Sequence, residues 1–186
     1  MSVKSGILEQ AKAASKKGPP PVHLWNPDYC GEMDMRIARD GTWFHEGTPI
    51  GRAPLVKLFA SILKLEEGRY YLVTPVEKLG IQVEDAPFIA VDFQIENQGP
   101  DQRITFTTNV GDEVTAGPDN PLRMNPDPGG APYVMVRRGL EARVDRKSFY
   151  RLVEVGTTQA HEGEDWFGLM SGGVFFPVAR ASDLAG

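Results

Sequence analysis

The 186 residues hold 20 Lys and Arg against 25 Asp and Glu, a net charge of −5, with 41% hydrophobic and 24% charged residues. That balance excludes whole-chain disorder, and an overall negative field offers nucleic acid no attraction. Cys30 is the only cysteine, so no intrachain disulfide can form and a reducing, cytoplasmic setting is expected.

Positive charge is confined to one end. Residues 1–20 contain Lys4, Lys12, Lys16 and Lys17 against Glu9, a net +3, which leaves −8 on the remainder. Ile7, Leu8, Ala11 and Ala14 give 7–14 a thin apolar stripe, enough for a short helix that is marginal alone. Gly18-Pro19-Pro20-Pro21 ends it, because proline removes donors and biases the preceding residue to extended backbone. No signal-like apolar core follows Met1. Residues 1–20 therefore read as a flexible arm.

The body begins near Val22. Met33, Met35 and Ile37 alternate with Asp34, Arg36 and Ala38, a strand with one face in the core. Asp40-Gly41 is a turn and Thr42–His45 a returning strand. Leu55, Leu58, Phe59, Ile62 and Leu63 carry helical spacing, which predicts a helix over 51–65 with Pro54 harmless in its first turn. This is also the longest apolar-rich stretch. Pro54, Lys57 and Lys64 interrupt it, and it is too short to span a membrane. Strands follow at 69–73 and 80–83.

The second half has longer strands. Residues 88–96 alternate with Val91, Phe93 and Ile95 to one side, and 103–108 pair back with Ile104 and Phe106 inward. Residues 117–132 read as loop, rich in Pro and Gly. A hairpin is expected from 133–137 and 140–144. Asp145 then caps a helix over 146–155 with Phe149, Leu152 and Val153 inward. His161–Glu164 reads as loop, and 165–171 with 173–178 as a closing hairpin.

Both halves thus show hairpin, helix, hairpin, about fifty residues each time, with 35–41 aligned on 133–139. The fold class is α+β: two small, closely packed domains of repeated hairpin-helix-hairpin motifs with short antiparallel, roll-like sheets. The arm occupies 1–20, the N-terminal domain 21–84 and the C-terminal domain, with the longer strands, 85–182. A cleft between copied units is the default place for a ligand.

Candidate chemistry is sparse. His23 and Cys30 lack zinc spacing, and a thiolate at Cys30 would need His23 or His45 beside it. No metal and no cofactor is expected. Arg36 shares a strand face with Asp34, and Arg36 and Arg52 suit a small anion, unless an ion pair with Asp34 or Glu77 occupies Arg36. Asn109, Asp112 and Glu113 offer oxygen ligands but match no calcium loop, so an Asx-bonded turn is the simpler reading. Gly168–Gly173 lacks the Lys-Ser/Thr of a phosphate loop, and Gly172-Gly173 reads as a turn. Trp25, Trp43 and Trp166 can stack on a ligand or fill core. The ligand-binding candidates are Trp25, Asp34, Arg36, Trp43, Arg52 and Glu77 in the first half, and Asn109 and Asp112 in the second.

HLWNPDYCGEMDMRIARDGTWFHEGTPIGR, GRYYLVTPVEKLGIQVEDAPF, and TNVGDEVTAG with FYRLVEVG resemble the bacterial family of unknown function called DUF1285, over roughly 20–180. The resemblance implies a two-domain fold of repeated α+β motifs and a suggested part in signalling or ligand sensing. It implies no catalytic residues, and the lysine-rich arm lies outside it. The leading expectation is a non-enzymatic module for a small ligand or protein, with no nucleic-acid partner and no membrane span, and a homo-oligomer left open. The alternatives are a small hydrolase using a carboxylate or Cys30, which requires a cleft joining two of Asp34, His45, Cys30, Glu77 and Asp112 within hydrogen-bond reach, and a structural or assembly protein.

Overall fold

A computed structural model describes residues 3–16, 18–127 and 129–184. The fold is mixed α+β in two compact units, Met1–Pro87 and Phe88–Gly186.

The first unit contains α1 (Val3–Ser15), β1 (Tyr29–Ile37), β2 (Trp43–His45), β3 (Thr48–Pro49), α2 (Ala53–Ser61), β4 (Leu63–Glu66), β5 (Arg69–Val73) and β6 (Lys78–Val83). Its sheet runs β3-β2-β1-β6-β5-β4. β1 and β6 pair in parallel, and every other neighbouring pair is antiparallel. Met33, Met35 and Ile37 are buried as their alternation predicts. Trp43 stacks on Phe59, with ring centroids 6.4 Å apart and planes at 15°.

Two expectations change here. The described part of 1–20 includes a helix that packs against α2, and its Ile7 and Ala11 are fully buried. The thin stripe of α1, marginal in isolation, is stabilised by tertiary contact rather than by propensity. The helix expected over 51–65 stops at Ser61, and Leu63–Glu66 is a strand. Leu63 pairs with Leu72 and Leu65 with Tyr70 across a turn whose Glu67 and Gly68 both have positive φ, 48° and 80°. That is the two-residue hairpin geometry whose twist matches the strands. Apolar residues at 58, 59, 62 and 63 satisfy helical spacing, but Leu63 and Leu65 also satisfy strand alternation, and pairing decides between them.

The second unit contains β7 (Phe88–Glu96), β8 (Arg103–Thr108), β9 (Glu113–Thr115), β10 (Leu122–Met124), β11 (Pro132–Arg137), β12 (Leu140–Val144), α3 (Arg146–Glu154), β13 (Thr157–His161), β14 (Glu164–Ser171), β15 (Val174–Arg180) and α4 (Ala181–Leu184). One sheet runs β10-β11-β12-β7-β8-β9 and a second β13-β14-β15. Asp145 caps α3, its Oδ1 accepting from the Ser148 N–H at 2.8 Å. Leu152 is buried on the inner face as expected, but Val153 is 43% exposed. β10 lies inside the stretch read as loop, and β13 is a strand where none was expected.

Hairpin, helix, hairpin does occur in both halves, yet the sheets relate the halves by another alignment. In each six-stranded sheet three strands step outward from the centre and the next three step back, so that the first and sixth pair in parallel: β1 with β6, β7 with β12. β1 therefore corresponds to β7 and not to β11. α2 bridges the two triplets in the first unit, whereas α3 follows the sixth strand in the second. The bridge in the second unit is short. Edge strands of a flat six-stranded sheet stand about 24 Å apart, and the linker from Thr115 to Leu122 reaches at most about 24 Å when straight. It is not straight, because Gly117 and Asn120 bond each other both ways, at 3.0 and 3.2 Å. The sheet must curl to close this gap.

Buried Ser171 fastens the three-stranded sheet to the larger one. Its hydroxyl donates to the Ala116 carbonyl at 2.7 Å and accepts from the Ile104 N–H at 2.9 Å. The following Gly172 has φ +60°, and a Cβ there would lie 2.8 Å from the Ala116 oxygen, so the close approach requires glycine.

Replacing Ile7 by Ala should lower unfolding free energy in urea by about 2–4 kcal/mol, as for other fully buried large-to-small changes. A free arm would give no change.

Candidate functional site

The candidate residues of the first unit occupy different settings. Arg36 is engaged: its Nη1 donates to Glu84, and its guanidinium lies 4.2 Å from the centroid of Phe44. The partner is Glu84, not Asp34 or Glu77. Asp34 is exposed on the same strand, and its backbone carbonyl accepts from the Glu46 N–H at 3.0 Å. Trp43 is 1% exposed and belongs to the core. Arg52 is exposed at the start of α2, where its side chain makes no capping bond. Glu77 closes a turn in which its N–H donates to Thr74 Oγ1 at 3.1 Å and its carbonyl accepts from the Thr74 N–H at 2.9 Å. Trp25 lines a pocket of about 590 Å³, together with Gln10, Ala13, Ala14, Pro19, Pro21, Pro75 and Val76. Cys30 is exposed, its Sγ 3.2 Å from the Asp28 carbonyl.

In the second unit Asn109 exchanges two bonds with Ile89. Its N–H donates to the Ile89 carbonyl at 2.8 Å and its Oδ1 accepts from the Ile89 N–H at 3.0 Å. Asp112 accepts from Arg137 Nη1 at 2.8 Å. Among the described residues no three His, Cys, Asp or Glu gather where they could hold a metal ion.

A polar network on the first sheet was not legible beforehand. Tyr29 donates to the Glu32 carboxylate, which also accepts from Arg69 Nη2 at 2.9 Å. The Glu32 carboxylate lies over Gly80, where an added Cβ would meet it at 2.1 Å. Tyr71, on the strand beside Gly80, has Lys78 Nζ 4.7 Å from its ring centroid. Glu66 accepts from both Lys64 at 2.9 Å and Lys78 at 3.0 Å. These contacts move the titrations. The Tyr29 bond lowers Glu32, and the two lysines lower Glu66. The carboxylate of Glu32 raises the Tyr29 phenol. Perturbed groups mark functional sites and ion-pair networks alike. Here each carboxylate already has a cation, so the network locks strands together.

A groove of about 860 Å³ lies in the second unit. Phe149 and Val153 of α3, Trp166 and Phe167 of β14 and Val178 of β15 supply apolar wall. Leu122 and Met124 of β10, the turn around Asn125 and Asp127, and Leu184 of α4 complete it. It lies where β10, an edge of one sheet, meets β15, an edge of the other. Gly156 gives the Phe167 ring its room, since a Cβ there would lie 2.3 Å from the ring. Pro177 denies β15 a donor, and the β14–β15 register shifts between Phe167 and Gly168. Both features blunt this edge against an added strand. Arg123 at the rim is held by Glu141 through a pair of bonds, Nε to Oε2 at 2.9 Å and Nη2 to Oε1 at 2.8 Å. The sequence signal for the groove is Val153: it continues the apolar stripe of α3, yet it is exposed and lines the groove.

The family model described as "Domain of unknown function (DUF1285), N-terminal domain" matches residues 20–86, and "Protein of unknown function (DUF1285), C-terminal domain" matches 87–178. The crystal structure of a DUF1285 family protein from Silicibacter pomeroyi DSS-3 is 58% identical, with TM-score 0.87 over 97% of this chain and 98% of that one. The DUF1285 family protein from Shewanella baltica OS155 is 31% identical, with TM-score 0.55 over 66% of this chain and 92% of that one. No curated protein matches.

Glu66 has a carboxyl held below its ordinary 4.5 in the folded state. Its contribution to stability is present above that ordinary value and is lost as pH falls through the depressed one. Glu66→Gln should therefore flatten the loss of melting temperature on acidification below about pH 4.5. An unchanged acid limb would contradict the pairing.

Proposed function

The chain belongs to the DUF1285 family, and from that footing we propose that it is a binding module, not an enzyme, whose second unit holds an apolar small molecule in the groove between β10 and β15. The observation that carries this reading is the groove itself. Its volume of about 860 Å³ lies within the range of small-molecule sites, and its wall combines Trp166, Phe149, Val153 and Met124 with a few polar groups at Asn125 and Asp127. Such a wall selects an aromatic or aliphatic body with one polar end. A non-enzymatic role is favoured because the prominent carboxylates Glu32, Glu66, Asp92 and Asp112 each face a basic partner. A general acid or base needs a carboxyl that can exchange its proton near the working pH. Their hydrogen-bond partners, Tyr29 for Glu32, Lys64 and Lys78 for Glu66 and Arg151 for Asp92, hold those three carboxyls below the ordinary carboxylate range. The blunted β15 edge favours a ligand gripped by side chains over an extended peptide gripped by backbone.

The probe for this reading is anilinonaphthalene sulfonate, apolar with one anionic end, titrated into the full chain and followed by amide shifts. Shifts should centre on Met124, Phe149, Trp166 and Val178. Val153→Arg should weaken them about tenfold or more, the effect of removing one buried apolar contact. Because Val153 is exposed, stability should stay within about 0.5 kcal/mol of the parent. Shifts that avoid the groove, or that persist in Val153→Arg, would remove the reading.

A further inference from the structure

In the first unit, exposed apolar surface gathers where positive charge gathers. Leu24 and Val76 are 68% and 70% exposed, the largest such values among the exposed large hydrophobic residues described. Leu24 precedes Trp25, and Trp25 and Val76 share the pocket whose other wall is Ala13 and Ala14 of α1. Lys12 and Lys16, both exposed, flank those alanines in the chain. Lys12 has Glu9 beside it, at 3.9 Å, and the first twenty residues carry +3 in a chain that is otherwise −8.

We propose that this end of the first unit is a peripheral docking surface for an anionic lipid bilayer. Reversible attachment of this kind needs two signals, apolar insertion and electrostatic attraction, because either alone is weak. Both are present. Leu24 sits in the short 3-10 turn Val22–Leu24, and Val76 is at the tip of a second turn. The second turn is tied at its start: Thr74 is fully buried, and its Oγ1 accepts from the N–H groups of Val76 and Glu77 at 3.4 and 3.1 Å. These bonds present Val76 to solvent, where it is 70% exposed. Single apolar side chains at turn tips suit insertion between headgroups. A peptide helix would need a continuous apolar trough. Trp25 adds an amphipathic ring of the type that settles at the membrane interface. Lys12 and Lys16 then meet anionic headgroups, each adding attraction near such a surface. No helix among the described residues is long and apolar enough to cross a membrane, so the attachment is to one face.

The test is co-sedimentation of the full chain with vesicles of phosphatidylcholine, with and without phosphatidylglycerol. The chain should pellet with the anionic vesicles only, and added salt should release it. Lys12→Gln and Lys16→Gln should each weaken partitioning about fivefold. Leu24→Ser and Val76→Ser should each weaken it about tenfold, with melting unchanged because both side chains are exposed. Failure to pellet, equal pelleting with neutral vesicles, or serine variants that partition like the parent would each overturn the proposal. So would binding to a poly-glutamate peptide without binding to vesicles, which would make the partner an acidic protein.

Discussion

The architecture depends on one pairing made twice, the parallel contact between the first and sixth strands of a six-stranded sheet. Adjacent strands joined by a tight turn are antiparallel, whereas parallel neighbours need a crossover. Here the crossover carries the chain from one edge of the sheet to the other. In the first unit α2 makes that journey and buries Phe59 and Ala60 on the way. In the second, the linker from Thr115 to Leu122 makes it with a turn at Gly117–Asn120 and no helix. The short linker forces curl and leaves α3 with no crossover to make. α3 instead leads into the three-stranded sheet. The groove exists because that extra sheet approaches β10 without pairing to it.

Local chemistry made much of this readable. Arg138-Gly139 has φ of 46° and 82°, the hairpin geometry that short-range residue choice specifies, and the flanking strands were placed to within a residue. The Asp145 cap was readable because a short acidic side chain before an amphipathic run has one evident use. The parallel pairs were not readable, since a pairing such as Arg36 with Gln82 leaves no mark in either segment. β13 was hidden for a different reason. Four of its five residues are exposed, so it shows no apolar alternation. The burial of Ile7 and Ala11 depends on α2 being there to receive them, and a stripe too thin to hold a helix alone gave no hint of that.

None of the eight ligand-binding candidates read from the sequence lines the groove of the second unit. Trp25, an aromatic candidate for stacking, lines a pocket of the first unit. Trp43 is a candidate on the same ground, yet it fills the core, because an indole in a strand looks the same in sequence whichever way the strand turns. Arg36 found Glu84, forty-eight residues away, a partner that only the β1–β6 pairing brings near. Exposed ion pairs of this kind contribute little net stability, at most about 1 kcal/mol each. Their effect is to occupy the charges on the sheet faces. Exposed apolar side chains are found elsewhere: Val153 in the groove of the second unit, and Leu24 and Val76 at turns in the first.

The parallel pair is tested most directly by native-state hydrogen exchange. If the first and sixth strands close each unit together, amides of β1 and β6 will exchange with one shared free energy, and those of β7 and β12 with another, each above that of the outer strands. Exchange of β6 in step with β4 and β5, at a free energy different from that of β1, would mean that the hairpins stand on their own and that the pairing does not hold the units closed.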